Sequence, residues 1–375
     1  MTGQALDLDR VSKIYGAGGA KPVRAVDRLD MDVRAGEIVA LLGSSGCGKT
    51  STLRMIAGFE AVSEGSIRLG GREIHRLAPA KRGVAMAFEG YSLYPPLTVR
   101  ENIAFALKAE KASPAEVDRR VAEIADLLDI GPILDRYPSG LSGGQQQRAS
   151  LGRALIRRAA LHLLDEPMGQ LEPQLRTLLR GRIKFFVKEH GLTAILVTHD
   201  QTEANALADR IAVMEGGRLQ QFDTPAALRD RPANMFTGTF IGEPPMNVFP
   251  ASAALSDGRL RLSLPEETAL DYPQAAFAPE VREAILRRGR VTLGVRPHAV
   301  RLDPAGAPAV VLANQWLGDQ THVAARFAGG VLVTVEHERA RVAEGDGVGV
   351  AFAPEDLHVF DAETGDAISH GRLLA

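Results

Sequence analysis

The segment Gly43-Ser44-Ser45-Gly46-Cys47-Gly48-Lys49-Thr50 constrains this chain more than any other. It fits the pattern G-x-x-x-x-G-K-[ST] and follows an apolar run, residues 38–42, that predicts a buried strand. Glycines let the backbone turn so closely that successive N–H groups point at one anion, and a helix beginning near Lys49 adds the positive end of its dipole. The segment therefore predicts a phosphate-binding loop between a strand and a helix of an α/β domain.

The side chains of this loop are candidates for nucleotide binding. Lys49 is expected to reach the β- and γ-phosphates, and the Thr50 hydroxyl to ligate Mg²⁺. Cys47 is the only cysteine, which excludes an intramolecular disulfide. Its place in the loop predicts that a thiol alkylator inactivates the protein and that bound ATP protects it. The other candidates for nucleotide contact are Ser44, Ser45, Gly46, Gly48 and Ser51.

Three further motifs follow in a fixed order. In the first, Leu141-Ser142-Gly143-Gly144-Gln145-Gln146-Gln147-Arg148, Ser142 can cap a helix whose first glycines expose N–H groups. The second, Ala160-Leu161-His162-Leu163-Leu164-Asp165-Glu166-Pro167, is an apolar strand ending in two carboxylates. The third, Ile195-Leu196-Val197-Thr198-His199-Asp200, is an apolar strand ending in a histidine. With the phosphate-binding loop, these motifs resemble those of the ABC-type ATPases.

The resemblance implies roles for individual residues. Asp165 would hold Mg²⁺, Glu166 would act as general base or orient the attacking water, and His199 would contact the γ-phosphate. Tyr15 lies in a segment similar to the one whose aromatic ring stacks on adenine. The residues Ser142, Gly143, Gly144 and Gln145 resemble the signature, which in this family closes over ATP held by another subunit. The catalytic sites would then form only in a dimer.

Two loops depart from the family pattern. Glu89 stands where a glutamine touches Mg²⁺ and the hydrolytic water, in a loop that continues through Tyr91 and Tyr94 and contacts the membrane subunits in the family. Gly169 and Glu172 stand where the family usually has serine and aspartate, in a loop that crosses the dimer interface. A carboxylate can still ligate Mg²⁺ but cannot donate an amide hydrogen bond. We expect hydrolysis to survive; pairing with a second, non-identical ATPase remains an alternative to a homodimer.

The chain is long enough for two domains. Residues 1–235 alternate apolar strands, at 38–42, 83–88, 161–164, 194–198 and 211–214, with helical patterns. A helical subdomain is expected at about 90–158, with an apolar stripe at Val117, Val121, Ile124, Leu127 and Leu128 that predicts core. From 236 to 375 short strands and Gly/Pro turns predict an all-β barrel or sandwich, with strands at 291–295, 309–312, 331–335 and 348–352.

The second half resembles one subgroup, the ATPases of carbohydrate importers of the maltose and glycerol-phosphate type. Gly294-Val295-Arg296-Pro297-His298 is similar to its G-[IV]-R-P-E segment, with His298 in place of glutamate. Residues 354–361 and Thr364-Gly365 match the segment near the C-terminus of this subgroup. The resemblance implies an α/β P-loop ABC ATPase domain with an inserted helical subdomain, followed by an OB-type barrel for dimerisation and regulation.

Charge and hydropathy restrict the partners. Residues 236–375 carry 12 basic and 18 acidic side chains, a net charge of −6, and the rest of the chain has a net charge of +4. This acidic second half argues against nucleic acid as a partner. No apolar run is long enough to span a membrane, and no signal segment begins the chain.

We therefore expect a peripheral ATPase on the cytoplasmic face of the cell membrane. It would bind integral permease subunits and be served indirectly by an extracytoplasmic solute-binding protein. Two alternatives remain open: a soluble ABC ATPase acting on nucleic acid or ribosomes, and a regulatory protein whose barrel captures a transcription factor or a metabolic signal.

Overall fold

A computed structural model describes residues 3–16, 21–90 and 92–371 of the chain. Backbone contacts divide the chain into two compact units, Met1–Pro225 and Ala226–Ala375. This division falls earlier than the boundary predicted at 235/236, because the segment after Pro225 packs on the second unit. The carbonyl oxygen of Arg229, for example, accepts a hydrogen bond from Arg296 Nη2 at 2.8 Å.

The first unit contains strands and helices in alternation. In chain order they are β1 (Leu6–Tyr15), β2 (Val23–Val33), β3 (Ile38–Gly43), α1 (Lys49–Ala57), β4 (Glu64–Leu69), β5 (Arg72–Glu73), β6 (Val84–Ala87), α2 (Val99–Ala109), α3 (Pro114–Leu127), α4 (Gly143–Leu155), β7 (Leu161–Asp165), α5 (Pro173–Glu189), β8 (Ala194–Val197), α6 (Gln201–Leu207), β9 (Arg210–Glu215) and β10 (Arg218–Asp223).

The central sheet of this unit has six strands in the order β10-β9-β3-β8-β7-β6. All its strands are parallel except β10, which pairs antiparallel with β9. Strands β3, β7 and β8 are buried along their whole length, as is usual for parallel strands covered on both faces. Because the carboxyl ends of parallel strands meet at one edge, the segments after β3, β6, β7 and β8 converge there.

An antiparallel sheet in the order β2-β1-β4-β5 accompanies the central sheet. One apolar cluster includes residues of both sheets together with Leu53, Met55 and Ile56 of α1. Helix α1 therefore packs in the core between the two sheets, and its N-terminus is held in a fixed place. The sequence patterns predicted the parallel strands but not this second sheet.

Helices α2, α3 and α4 occupy the region where a helical subdomain was expected. Thr98 and Glu101 form a reciprocal cap at the start of α2, and the Ser113 hydroxyl caps α3. The predicted apolar stripe of α3 is confirmed as core, since Val117, Val121, Ile124, Leu127 and Leu128 are all buried.

The second unit is rich in strands. Its elements are α7 (Pro225–Asp230), α8 (Met235–Phe240), β11 (Asn247–Ser256), β12 (Arg259–Ser263), β13 (Ala269–Pro273), α9 (Pro279–Arg288), β14 (Arg290–Val295), β15 (Arg301–Trp316), β16 (Thr321–Phe327), β17 (Gly330–Glu336), β18 (Gly347–Ala351), β19 (Leu357–Asp361) and β20 (Ala367–His370).

These strands form two sheets, in the orders β13-β12-β11-β14-β19-β20 and β17-β16-β15-β18. A shared core joins residues of both sheets, among them Phe249, Val359, Phe327 and Leu332. The predicted strands of this half are confirmed, and the short helices α7, α8 and α9 accompany them. No helix among the described residues is both long and apolar enough to cross a bilayer.

Candidate active site

The phosphate-binding loop joins the carboxyl end of β3 to the N-terminus of α1. Gly46 has a φ of 79° and Gly48 a φ of 106°, both in the left-handed region. A Cβ atom on Gly48 would lie 2.5 Å from the carbonyl oxygen of Ala25. Position 48 therefore requires glycine for its backbone angle and for its close approach to strand β2. Ser45 lies on this loop, and Thr50 and Ser51 lie in the first turn of α1.

The Lys49 ammonium is held inside the curve of the loop. Its Nζ donates hydrogen bonds to the carbonyl oxygens of Gly43 at 2.8 Å and Ser44 at 2.9 Å. The Ser44 hydroxyl donates in turn to a carboxylate oxygen of Glu215. Because an ammonium has three donors, Lys49 can exchange these carbonyl partners for phosphate oxygens without moving its backbone.

The Cys47 thiol lies beneath the loop and not at its surface. Only 2% of the residue is exposed, and its Sγ is 3.7 Å from Lys49 Nζ. Burial raises the pKa of this thiol above its ordinary value. Since the thiolate is the reactive form, rapid alkylation of the folded protein is not expected. That a thiol alkylator inactivates the protein and that bound ATP protects it stays a prediction, to which the burial adds that labelling is slow.

Asp165 ends strand β7 with one carboxylate oxygen unsatisfied. The residue is 5% exposed, and its Oδ1 has no hydrogen-bond partner. Burial, together with the nearby carboxylates of Glu89 and Glu166, raises the pKa of Asp165 to about 6. A buried carboxylate oxygen beside two other carboxylates suits a divalent cation.

No group of three or more His, Cys, Asp or Glu side chains in the described part of the chain forms a metal cage. A cation at Asp165 would therefore take most of its ligands from phosphates and water. This is how Mg²⁺ is usually held in nucleotide sites.

Glu166 and His199 form a close pair at the same edge of the sheet. The Oε2 of Glu166 lies 2.8 Å from Nδ1 of His199, whose side chain is 73% exposed. Glu166 has a φ of 49°, and its N–H donates to the carbonyl oxygen of Val197 at the end of β8. The neighbouring strand thus fixes the unusual backbone of Glu166, and its carboxylate faces a histidine that solvent or a ligand can reach.

Gln147 is a functional candidate that the sequence analysis did not single out. Its side chain is buried, and its amide Nε2 donates to the carbonyl oxygen of Glu166 at 2.7 Å. Its Oε1 accepts from the N–H of Gln170 at 2.9 Å. The third glutamine of the motif at 141–148 therefore ties helix α4 to the loop that carries Gly169. The sequence signal was the glutamine triplet, in which nothing distinguishes one member from the next.

The signature segment starts helix α4. Ser142 Oγ accepts from the N–H of Gln145, and Gln145 Oε1 accepts from the N–H of Ser142, so the predicted helix cap is confirmed. A Cβ atom on Gly144 would lie 3.1 Å from the carbonyl oxygen of Gln170. Within the described residues, the side-chain hydrogen bonds of residues 142–147 reach their own helix, the carbonyl oxygens of Pro138 and Leu141, and the 166–170 loop. None of them reaches the phosphate-binding loop.

The two departures from the family pattern follow two adjacent strands of the central sheet, β6 and β7. Glu89 follows β6, is exposed, and is close enough to Asp165 to raise its pKa. A Cβ atom on Gly169 would meet only ordinary contacts, the nearest being 3.8 Å from the carbonyl oxygen of Glu166. Glu172 precedes α5 as its N-cap residue, without a capping hydrogen bond from its side chain.

The aromatic candidates occupy two other places. The Tyr15 hydroxyl is 3.0 Å from Ser51 Oγ and also donates to Glu60, which puts its half-exposed ring beside the first turn of α1. Tyr94 packs against Phe105 with ring centroids 4.8 Å apart, and the Arg153 guanidinium lies 4.5 Å from its ring centroid. Tyr91 lies outside the described residues.

Comparison with known proteins agrees with this geometry. The family model of the ABC transporters matches residues 26–169, and that of the TOBE domain matches residues 293–360. The sn-glycerol-3-phosphate import ATP-binding protein UgpC of Cereibacter sphaeroides is 43% identical over 350 residues, covering 92% of this chain and 95% of the relative. The chain belongs to the ATP-binding subunits of the carbohydrate-importer family of ABC transporters. The predicted family is thereby confirmed.

Other relatives and solved structures support the same assignment of this ABC ATPase. The xylose/arabinose import ATP-binding protein XacK of Haloferax volcanii is 39% identical over 380 residues, covering 98% of this chain and 96% of the relative. A dimeric structure of the ATP-binding cassette MJ0796 in a post-hydrolysis state, bound to ADP and Pi, is similar with a TM-score of 0.55 and 26% identity. It covers 58% of this chain and 98% of that one. The predicted fold class and ATPase activity are confirmed.

Proposed function

We propose that this ABC ATPase powers the import of a sugar, a sugar alcohol or a glycerol-phosphate-like solute. The support is the import function in the names of its relatives, one for sn-glycerol-3-phosphate and one for xylose and arabinose. These relatives align with nearly the whole chain, including the second unit. The solute itself would be chosen by other subunits of the importer.

The observation that carries the ATP-hydrolysing part of the proposal is the Glu166–His199 pair, 2.8 Å apart, beside the unsatisfied oxygen of Asp165. In the proposed mechanism the Glu166 carboxylate accepts a proton from the attacking water, and His199 orients that carboxylate and contacts the γ-phosphate. Lys49 and the loop N–H groups would stabilise the charge on the transferring phosphoryl group.

Asp165, Thr50 and Glu89 would hold Mg²⁺, directly or through water. The bound ion would neutralise charge on the phosphates. The fit rests on the unsatisfied Oδ1 of Asp165 and on its raised pKa, which burial and the nearby carboxylates cause together. Without a cation, three carboxylates close to the phosphates would oppose nucleotide binding.

The complete site would form between two subunits. In one chain the signature residues Ser142, Gly143, Gly144 and Gln145 bond to their own helix and approach the 166–170 loop, which leaves their N-terminal face for a second subunit's ATP. A homodimer would build two equal sites. A heterodimer with a second ATPase remains the alternative. Glu89 alters the loop that contacts the membrane subunits in the family, and Gly169 and Glu172 alter the loop that crosses the dimer interface.

The proposed location is the cytoplasmic face of the cell membrane, where integral permease subunits would anchor the protein. The segment from Glu89 to Tyr94 would contact these permease subunits. The C-terminal end of this segment is held by Asn102, whose Oδ1 accepts a hydrogen bond from the Tyr94 N–H at 2.7 Å. A solute-binding protein would act through the permeases without touching this chain. We propose no nucleic-acid partner.

Steady-state Mg-ATP turnover of the purified chain tests the proposal, with Glu166→Gln as the inactive variant and exposed Glu189→Gln as the matched control. We expect turnover that Glu166→Gln abolishes and Glu189→Gln leaves unchanged. Tight ATP binding without turnover would favour the heterodimer or a requirement for the permeases. Turnover that persists in Glu166→Gln would reject Glu166 as the general base.

A further inference from the structure

We propose that a cavity in the second unit is a binding site for a small molecule that carries a phosphate group. This cationic cavity has a volume of about 600 Å³ and is lined by four arginines and three histidines: Arg229, Arg231, Arg296, Arg301, His298, His358 and His370. The volume falls within the range of small-molecule sites, about 300–1,000 Å³. It is unexpected in this unit, because residues 236–375 have a net charge of −6.

Two of the arginines are free to bind a ligand. Arg229 and Arg301 are exposed, and neither guanidinium forms an ion pair within the described part of the chain. Arginine presents several N–H donors in a planar fork that matches the oxygens of a phosphate group. These two side chains therefore offer directional donors that no acceptor in the described ranges uses.

Arg296 forms a fixed wall of the cavity. Its Nη1 donates to the carbonyl oxygens of Gly238, at 2.8 Å, and Ile241, and its Nη2 donates to that of Arg229 at 2.8 Å. Its Nε is buried without a partner. Among the residues that the structure describes, no carboxylate accepts a hydrogen bond from this guanidinium, so its positive charge adds to the field inside the cavity.

The three histidines of the cavity all have lowered pKa values. Burial lowers the pKa of His358 to about 3, with Arg296 and His370 acting in the same direction. Burial also lowers the pKa of His370, assisted by Arg231 and Arg296, and the pKa of His298, assisted by Arg229. Arginines assist burial in all three shifts, so each ring has a positively charged neighbour, although Asp230, Glu355 and Asp356 also line the cavity.

The mixed lining indicates what else the ligand carries. An oxyanion would accept hydrogen bonds from the free arginines and from neutral histidine N–H groups. The carboxylates Asp230 and Glu355 can accept hydrogen bonds from hydroxyl groups. A phosphate monoester with hydroxyl groups satisfies both kinds of lining, whereas a neutral sugar leaves the arginines unpaired.

His298 distinguishes this cavity from the pattern of the family. The segment at 294–298 otherwise matches G-[IV]-R-P-E, so a carboxylate would normally stand at this position. A glutamate there would face Arg229 and repel an incoming oxyanion. The substitution to histidine removes a negative charge from the cavity and leaves the arginines available.

Calorimetric titration of the full chain tests the site. The phosphate-binding loop is first saturated with Mg²⁺ and a non-hydrolysable ATP analogue, because the same probes would otherwise bind there. Inorganic phosphate and glycerol 3-phosphate are then titrated in separate arms at constant ionic strength, with sulfate as the comparison. We expect one saturable site per chain for both phosphate probes, and tighter binding of glycerol 3-phosphate if the hydroxyl contacts form.

The decisive variants are His298→Glu and the double variant Arg229→Gln/Arg301→Gln. Each should weaken binding by about tenfold or more, since charge-assisted hydrogen bonds are lost. Arg287→Gln/Arg341→Gln removes two exposed arginines outside the cavity and should leave affinity unchanged. All the replaced side chains are exposed, and thermal unfolding will verify that each variant folds.

The proposal fails if neither phosphate probe binds saturably to the loop-saturated chain. It also fails if both cavity variants bind as tightly as the unaltered chain, or if sulfate competes equally in every variant. Because hydrolysis is not measured, these results do not depend on whether the proposed transport function is correct.

Discussion

Gln147 Nε2 donates a 2.7 Å hydrogen bond to the carbonyl oxygen of Glu166, the proposed general base. The same side chain accepts from the Gln170 N–H, so it spans the turn that contains Gly169. The backbone of Glu166 has a positive φ, a conformation that persists only where its surroundings hold it. Helix α4, which begins at the signature, therefore helps to hold the backbone of Glu166. In the proposed dimer, movement of the signature on a second subunit's ATP would reach the backbone of Glu166 through Gln147.

Two substitutions of Gln147 distinguish the effects of its two hydrogen bonds. Gln147→Glu keeps the acceptor for Gln170 but faces the Glu166 carbonyl with a second acceptor, and Gln147→Leu removes both bonds. Because an unsatisfied buried group costs about 1–3 kcal/mol, we expect kcat to fall roughly tenfold or more in both variants. The KM for ATP should change little, since Lys49 and its loop are untouched. A fall in thermal stability with unchanged kcat would assign Gln147 a purely structural role.

The buried carboxylate of Asp165 makes the nucleotide-free protein sensitive to pH. Its pKa is raised to about 6, above the ordinary 3.8, so the folded chain binds this proton more tightly than the unfolded chain does. The contribution of Asp165 to the free energy of unfolding is therefore fully present at low pH and is lost as pH rises through about 6. We expect Asp165→Asn to stabilise the Mg-free protein at pH 8, on the order of 2 kcal/mol, and not at pH 4.

Thermal unfolding at the two pH values measures this effect. Asp319→Asn, at an exposed position of the second unit, is the matched control and should show no pH-dependent difference. Equal stabilisation by Asp165→Asn at both pH values would contradict the assignment of the shift to this carboxylate. Turnover should be lost in Asp165→Asn at every pH.

Glu89 contributes to the raised pKa of Asp165, second only to burial. Glu89→Gln removes that charge, so the acid limb of the pH–rate profile should move to lower pH. The Mg²⁺ concentration for half-maximal activity should rise, because one negative charge that attracts the cation is gone. Steady-state turnover at varied pH and Mg²⁺ measures both, with Glu172→Gln as the comparison. An unchanged Mg²⁺ dependence would place Glu89 outside the metal site.

The buried thiol of Cys47 should resist alkylation in the folded protein. We expect iodoacetamide at pH 7.5 to label it far more slowly in buffer than in denaturing urea, because burial both blocks access and raises the pKa. Intact-mass spectrometry over time measures the two rates on the same preparation. Equal rates would mean that the loop opens freely and that burial does not protect the thiol.

Sequence reasoning succeeded where chemistry and structure lie next to each other in the chain. The phosphate-binding loop, the Asp165-Glu166 pair and the Ser142 cap are each set by a few consecutive residues. Buried parallel strands read as continuous apolar runs, so their positions were also predictable. The antiparallel sheet around β1 was not predicted, because its strands mix buried and exposed residues with bulges that blur the pattern.

The sequence by itself determined which strands end in which functional residues, and hence the family. Only the tertiary structure decided what those residues meet. The pairing of Glu166 with His199 depends on β7 and β8 being neighbours in the sheet. The two hydrogen bonds of Gln147 to the 166–170 loop depend on where α4 packs. The cationic cavity is lined by residues from α7, from β20 and from the turns before β15 and β19. Such contacts join distant segments, and their geometry is fixed by packing, which no local pattern of residues encodes.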